Sequence, residues 1–269
     1  MAVIARSYLF VPGDRPDRFA KAAATGAHEI ILDLEDAVAP SAKPAARDHV
    51  AQWFAGGGAG LVRINGLDTP FASDDLAMLT RCPSASVMVP KANAGALDEV
   101  ARALPDRPLI ALIETVEGLL AIHAVAASAG VTRLAFGNLD FSADARIPDA
   151  AEALDPARFD IVIASRAAGL AAPIDGVTTE IADEARLAAD IARAVRLGFG
   201  GKLCIHPRQV GPVAEGFAPR PDEVRWAHRV VAAVEEGAGV VQVDGKMVDA
   251  PVILRARAIL EASGGGAEG

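Results

Sequence analysis

Leu109-Ile110-Ala111-Leu112-Ile113-Glu114 and, further on, Arg133-Leu134-Ala135-Phe136-Gly137-Asn138-Leu139-Asp140 decide how this chain folds. Each is a short apolar run that stops at a carboxylate. Between them Val116–Ser128 carries apolar residues at helical spacing, and Gly130 follows where a helix stop belongs. A strand, a helix and a parallel strand are the reading.

The unit recurs along the chain. Apolar runs at Tyr8–Val11, Glu29–Leu34, Leu61–Ile64, Ser86–Val89, Ala172–Asp175 and Lys202–Ile205 predict the other strands. Crossover helices are expected at Pro16–Thr25, Lys43–Phe54, Phe71–Leu79, Ala94–Leu104, Pro156–Gly169 and Asp183–Leu197. Pro16 and Pro156 suit first helical turns, and Gly26 and Gly198 suit C-terminal stops. Consecutive β-then-α units of this number predict a closed parallel (β/α)8 barrel of the TIM type, with an open doubly wound sheet as the second choice. The open sheet lacks its fingerprint, because Val11-Pro12-Gly13-Asp14 is followed by no glycine pair. Gly56–Gly60 precedes a strand, and Gly200-Gly201-Lys202-Leu203 lacks Walker spacing, so neither reads as a phosphate loop.

Length agrees, since 269 residues match the roughly 250 typical of such a barrel. Hydrophobic residues at 52% but aromatics at only 4% imply a core of Ala, Val, Leu and Ile, as buried parallel strands require. With 26 basic and 35 acidic residues the net charge is −9, which argues against a nucleic-acid footprint. Cys82 and Cys204 form neither a disulfide framework nor a zinc pattern. No apolar run reaches membrane-span length, and the signature of a signal peptide is missing. A cytoplasmic protein that binds no nucleic acid or membrane is expected.

Three segments are predicted: a catalytic barrel at 1–215, a helix–hairpin–helix extension or lid at 216–262, and a flexible tail at 263–269. In the extension, Pro221–Glu236 and Ala250–Ala262 read as helices. Val240–Val243 and Lys246–Val248 read as a hairpin turning at Asp244-Gly245.

In a barrel of this type the chemistry sits at the C-terminal strand ends. Those positions hold Glu35, Asp36, Arg63, Lys91, Glu114, Asp140, Asp175 and His206. Glu114 and Asp140 end adjacent strands, where two carboxylates would repel unless a hard cation lay between them, which points to magnesium. The competing role for Glu114 is a cap on the helix near Thr115. Arg63 can present a planar fork to a carboxylate, or pair with Glu35 or Asp36, or do both. Glu35 and Asp36 are read as partners of Arg63 or of metal-bound water. Lys91 is read as an electrostatic substrate contact ahead of a Schiff-base lysine, and His206 with Pro207 as a ligand contact or a loop former. Arg15, Arg18 and Lys21 are candidate contacts for phosphates, with solvated surface charge an equal account.

The stretches Arg6–Gly13, Asp33–Val38 and Val62–Asn65 resemble the HpcH/HpaI aldolase and citrate lyase β-subunit-like family, which includes malyl-CoA and citramalyl-CoA lyases. So do Val89–Lys91, Ile113–Thr115, Gly198–Pro207 and Asp244–Asp249. The stretch Asn138–Arg146 departs from the Gly-x-x-Asp-Leu pattern of many members, although Asp140 aligns. The resemblance implies a barrel assembling as a homotrimer or a dimer of trimers. It implies Mg2+ on Glu114 and Asp140, a substrate carboxylate on Arg63, and Asp249 reaching a neighbour's site as acid/base, with Asp36 behind it. The activity implied is reversible cleavage of a 3-hydroxy-acyl-CoA thioester, such as citryl-, malyl- or citramalyl-CoA, into a 2-oxo acid and acetyl-CoA. A malyl-CoA-type thioesterase and a catalytically silent ligand-binding subunit are the alternatives.

Overall fold

In the computed structural model eight parallel strands close on themselves in chain order, each paired with its neighbours in sequence and the last with the first. They are β1 (Ser7–Pro12), β2 (Glu29–Asp33), β3 (Leu61–Arg63), β4 (Ser86–Val89), β5 (Leu109–Ile113), β6 (Val131–Phe136), β7 (Ile174–Asp175) and β8 (Gly201–Cys204). The closing pair sets Tyr8 opposite Leu203. The structure describes residues 5–236 and 242–263.

Around the strands run α1 (Phe19–Ala23), α2 (Lys43–Ala55), α3 (Ala72–Leu79), α4 (Ala94–Ala103), α5 (Val116–Leu120), α6 (Ile122–Ala126), α7 (Asn138–Ala145), α8 (Ala151–Ala167), α9 (Glu184–Leu197) and α10 (Pro207–Gly216). Local chemistry fixes several ends. Asn93 caps α4 by accepting the Ala96 N–H at 2.9 Å, and Asp183 caps α9 by accepting that of Arg186 at 2.9 Å. Gly198 ends α9 in the left-handed region at φ 102°. The strands are packed with buried aliphatic side chains, and Val62, Val87, Ala111 and Leu134 have no exposure. No described helix is long and apolar enough to cross a membrane.

Three expectations need correction. Pro156 does not open a helix: α8 starts at Ala151 and carries Pro156 inside it. The missing N–H removes one intrahelical bond a turn into the helix, a loss the apolar face of Leu154, Ala157 and Ile161 outweighs. The residues after β6 and β8, where no helix was expected, form the helices α7 and α10. The expected helix over Val116–Ser128 is interrupted at Ala121, leaving α5 and α6.

The chain divides into two compact units between Gly216 and Phe217. In the second, α11 (Pro221–Glu236) and α12 (Ala250–Ala262) enclose a small core of Ala227, Val230, Val243 and Ala256. The strands β9 (Gln242–Val243) and β10 (Lys246–Met247) form an antiparallel hairpin turning at Asp244 and Gly245, both at positive φ. Val240, Val241 and the tail beyond Ser263 lie outside the described residues.

Candidate active site

A cavity of about 360 Å3 opens at the C-terminal ends of the barrel strands. Its charged lining comes from Asp33 at the end of β2 and Asp36 after it, Arg63 on β3, Glu114 after β5 and Asp140 in the first turn of α7.

Arg63 is set by strand register, because Asp33 and Arg63 are direct partners across the β2–β3 pair. The guanidinium donates from Nε to Asp33 Oδ1 at 2.7 Å and from Nη2 to Asp33 Oδ2 at 2.6 Å, a two-pronged contact. Nη1 stands 3.0 Å from Glu35 Oε2, an ion-pair distance without hydrogen-bond alignment, and 3.9 Å from Asp36 Oδ2. The Phe10 ring lies against the guanidinium, its centroid 4.8 Å away. Burial works against the Arg63 charge, but Asp33, Glu35 and Glu114 outweigh it and hold the group firmly protonated. The predicted pairing with Glu35 and Asp36 is present, and Asp33 is the stronger partner that sequence reasoning missed.

Asp33 also accepts the N–H groups of Glu35 at 3.0 Å and Ala37 at 3.3 Å, so one carboxylate shapes the turn and aims Arg63. Beneath that turn the buried Lys43 ammonium donates to the carbonyls of Leu34 at 2.7 Å and Glu35 at 2.8 Å, and to Asn65 Oδ1 at 2.5 Å. Lys91 donates from Nζ to Glu35 Oε1 at 3.2 Å. Burial lowers the affinity of Lys91 for its proton, and Glu35 and Glu114 more than restore it. An amine kept charged in this way suits an electrostatic role and not a Schiff base.

Glu114 does not cap a helix; Thr115 does, accepting the Gly118 N–H at 3.0 Å. Instead Glu114 Oε1 accepts the backbone N–H of Lys91 at 2.8 Å, and Lys91 takes a left-handed φ of 45° there. Gly137 makes the room, since a Cβ at that position would come within 2.7 Å of Glu114 Oε2. Burial, reinforced by the charges of Glu35 and Asp140, pushes the Glu114 carboxyl up to about 8. A buried carboxylate beside a second one at an open cavity is a donor set for a hard divalent cation, so the residues fit magnesium. Among the described residues there is no group of three or more His, Cys, Asp or Glu placed to hold a metal.

Asn138 was not singled out from sequence as a contributor. Its buried side chain donates to Asp149 Oδ1 at 3.0 Å and to the Val177 carbonyl at 3.3 Å, and accepts the Val177 N–H at 2.8 Å. It thereby ties the first turn of α7, which carries Asp140, to the loop after β7. Gly176 is required opposite it, because a Cβ there would stand 2.7 Å from Asn138 Cγ.

The remaining candidates lie elsewhere. Asp175 is fully enclosed, accepting from Arg158 Nε at 2.8 Å and Lys202 Nζ at 3.1 Å, so this strand-end carboxylate serves the barrel wall and not the cavity. His206 does not line the cavity; its Nδ1 accepts the Arg208 N–H at 3.2 Å. Arg15 pairs with the exposed Asp17 at 3.2 Å, and Lys21 is exposed on α1. Asp249, in the second unit, is exposed and caps α12 by accepting the Val252 N–H at 3.1 Å.

Residues 6–207 match the model of the HpcH/HpaI aldolase/citrate lyase family. The chain is 35% identical to the citrate lyase subunit beta of Leuconostoc mesenteroides subsp. cremoris, over 95% of this chain and 92% of that one. It is 35% identical to a (3S)-malyl-CoA thioesterase of Cereibacter sphaeroides, over 95% and 93%. Among solved structures it is similar to the CitE protein of Mycobacterium tuberculosis in complex with magnesium, acetoacetate and coenzyme A. That similarity has a TM-score of 0.83 at 34% identity, covering 97% of this chain and 99% of that one. A citrate lyase beta subunit from the same organism, complexed with oxaloacetate and magnesium, aligns with a TM-score of 0.71 at 33% identity, covering 80% and 98%.

Proposed function

The chain belongs to the HpcH/HpaI aldolase/citrate lyase family, and on that premise we propose that it is a Mg2+-dependent carbon–carbon lyase. Its reaction is the reversible cleavage of a 3-hydroxy-acyl-CoA thioester into a 2-oxo acid and acetyl-CoA. The observation that carries the proposal is that Glu114, Asp140 and Arg63 line one cavity, close enough for the charges of Asp140 and Arg63 both to act on Glu114.

Glu114 and Asp140 would hold the ion, which when bound would supply Lewis-acid polarisation of the oxo-acid carbonyl. Arg63, fixed in its plane by Asp33, receives the substrate carboxylate and sets its orientation. Lys91 and the Lys43-supported turn hold Glu35 and Asp36 around the guanidinium. In cleavage a carboxylate accepts the proton of the 3-hydroxyl. The C2–C3 bond then breaks, C3 becomes the oxo-acid carbonyl, and the electron pair passes into the thioester as an enolate. Protonation at C2 gives acetyl-CoA. Asp249 from a neighbouring subunit of a homotrimer, or of a dimer of trimers, is our candidate for the proton transfers, with Asp36 behind it. Arg15 and Lys21 are our candidates for the CoA phosphates.

A second reading has a specific observation behind it, the similarity to proteins named malyl-CoA thioesterase. In that reading water attacks the thioester carbonyl at the same site and releases CoA. Incubating the protein with Mg2+, acetyl-CoA and glyoxylate, pyruvate or oxaloacetate separates the two. A condensed thioester supports the lyase, free CoA appearing from the thioester supports the hydrolase, and tight oxo-acid binding with neither product supports a silent subunit.

A further inference from the structure

A buried chain of polar groups runs from the outer helices to the turn after β2. It starts at Asp75 on α3, which has no exposure and does not line the cavity. Asp75 Oδ2 accepts the backbone N–H of Asn65 at 2.8 Å and its side-chain Nδ2 at 2.6 Å, while Oδ1 faces Arg47 Nη1 of α2 at 3.2 Å. With Nδ2 held in this way the Asn65 amide has one orientation, and its Oδ1 accepts from Lys43 Nζ. Lys43, the first residue of α2, donates its other two protons to the carbonyls of Leu34 and Glu35. Lys43 is buried, and the Phe71 ring covers its ammonium with a centroid 5.2 Å away.

Two strand ends are bolted together by these contacts. Asn65 stands two residues beyond Arg63, and Leu34 and Glu35 follow Asp33, so the ammonium fixes the end of β2 against the end of β3. Directly beyond the bolt is the Glu35 carboxylate, whose Oε2 stands 3.0 Å from Arg63 Nη1 and whose Oε1 accepts from Lys91 Nζ at 3.2 Å. Packing alone does not call for such an arrangement. Burial pushes the Asp75 carboxyl up and the Lys43 amine down, and apolar side chains of similar volume often hold a fold as well or better. What a fully engaged ammonium adds is direction, because each of its three bonds fixes where one oxygen stands.

We propose that Asp75 is a positioning residue for the oxo-acid site, acting through Asn65 and Lys43 on the turn that sets Glu35 against the Arg63 guanidinium. The proposal rests on the cavity being an oxo-acid site and goes beyond that reading, since Asp75 lies outside the cavity.

The test compares wild-type and Asp75→Asn proteins by calorimetry, first with Mg2+ alone and then, loaded with Mg2+, with glyoxylate, pyruvate and oxaloacetate. Asp75→Asn keeps the shape of the side chain and withdraws its charge, and Arg47 retains Asp74 at 2.9 Å. Affinity for the oxo acid should fall about 10-fold, because a group misplaced by about 1 Å can cost about 100-fold. Affinity for Mg2+ should stay within about 2-fold of wild type, since Glu114 and Asp140 take no part in the chain. Wild-type oxo-acid affinity in a folded Asp75→Asn protein overturns the proposal. So does an equal fall in both affinities, which marks a general loosening of the cavity. If the wild type binds none of the three oxo acids, the proposed function falls and the proposal with it. Removing one of several coupled buried charges can unfold a protein, so a second variant, Lys43→Met with Asp75→Asn, withdraws two together. It should melt closer to the wild type than Asp75→Asn does, and still bind the oxo acid about 10-fold more weakly. Affinity recovered along with stability reduces the chain to packing and overturns the positioning role.

Discussion

Glu114 carries its ionisation at a cost when no cation is present. Its folded-state value of about 8 stands above the ordinary 4.5. Between those values the native state binds more protons than the unfolded one, so stability declines as pH rises through this window and the full penalty is present above it. In the presence of a chelator, the wild type should lose stability from pH 5 to pH 8 relative to Glu114→Gln, read by denaturant melts. Mg2+ should restore the wild type alone. Parallel curves for the two proteins would count against the assignment. At Arg63 the expectation concerns shape. Arg63→Lys keeps the charge but cannot make both contacts to Asp33, so it should cost about 1–3 kcal/mol of stability and weaken oxo-acid binding. A Lys variant with wild-type KM and melting behaviour would contradict this.

At the scale of the element, the strand-end rule made most of the site legible. β2, β3, β5 and the turn after β6 deliver Asp36, Arg63, Glu114 and Asp140 to the cavity that alternating apolar runs pointed to. Asp33 was legible too, because it ends β2 as Arg63 ends β3, and strand ends in register are neighbours. It was passed over for the more conspicuous Glu35-Asp36 pair beside it. Asp175 obeys the same rule and still serves the barrel wall. Its partner Arg158 sits on α8, and a strand pattern says nothing of which helix face leans over it. The helix α7 was not expected, because its eight residues follow the strand after a single glycine and mix apolar with acidic side chains. That helix supports a prediction. Asn138→Ala leaves the Val177 N–H without its partner and frees the turn carrying Asp140. It should lower stability by about 1–3 kcal/mol and weaken Mg2+ binding beyond what the melting shift explains. Asn138→Asp keeps the acceptor for Val177 and should recover part of the Mg2+ affinity. A loss of stability with unchanged Mg2+ affinity would reduce Asn138 to a packing role.

For the whole molecule, the division between Gly216 and Phe217 sets Asp249 in a different unit from Glu114. If active sites are shared between subunits, Asp249→Asn and Glu114→Gln proteins are each inactive alone. Mixed under conditions that exchange subunits, they should recover part of the wild-type activity, because some sites inherit both intact residues. Exchange demonstrated by mass spectrometry without recovered turnover would place Asp249 outside the chemistry. The closure of the barrel has its own consequence, during synthesis. Every strand pairing but one joins neighbours in sequence, whereas Tyr8 must wait for Leu203, roughly 195 residues later. At about 5–20 residues per second, the ribosome leaves the outer edge of β1 unsatisfied for about 10–40 s. The Arg6 carbonyl, which accepts the Lys202 N–H at 2.8 Å once β8 is in place, stands on that open edge until then, so the nascent chain is most exposed to mispairing just before its eighth strand emerges.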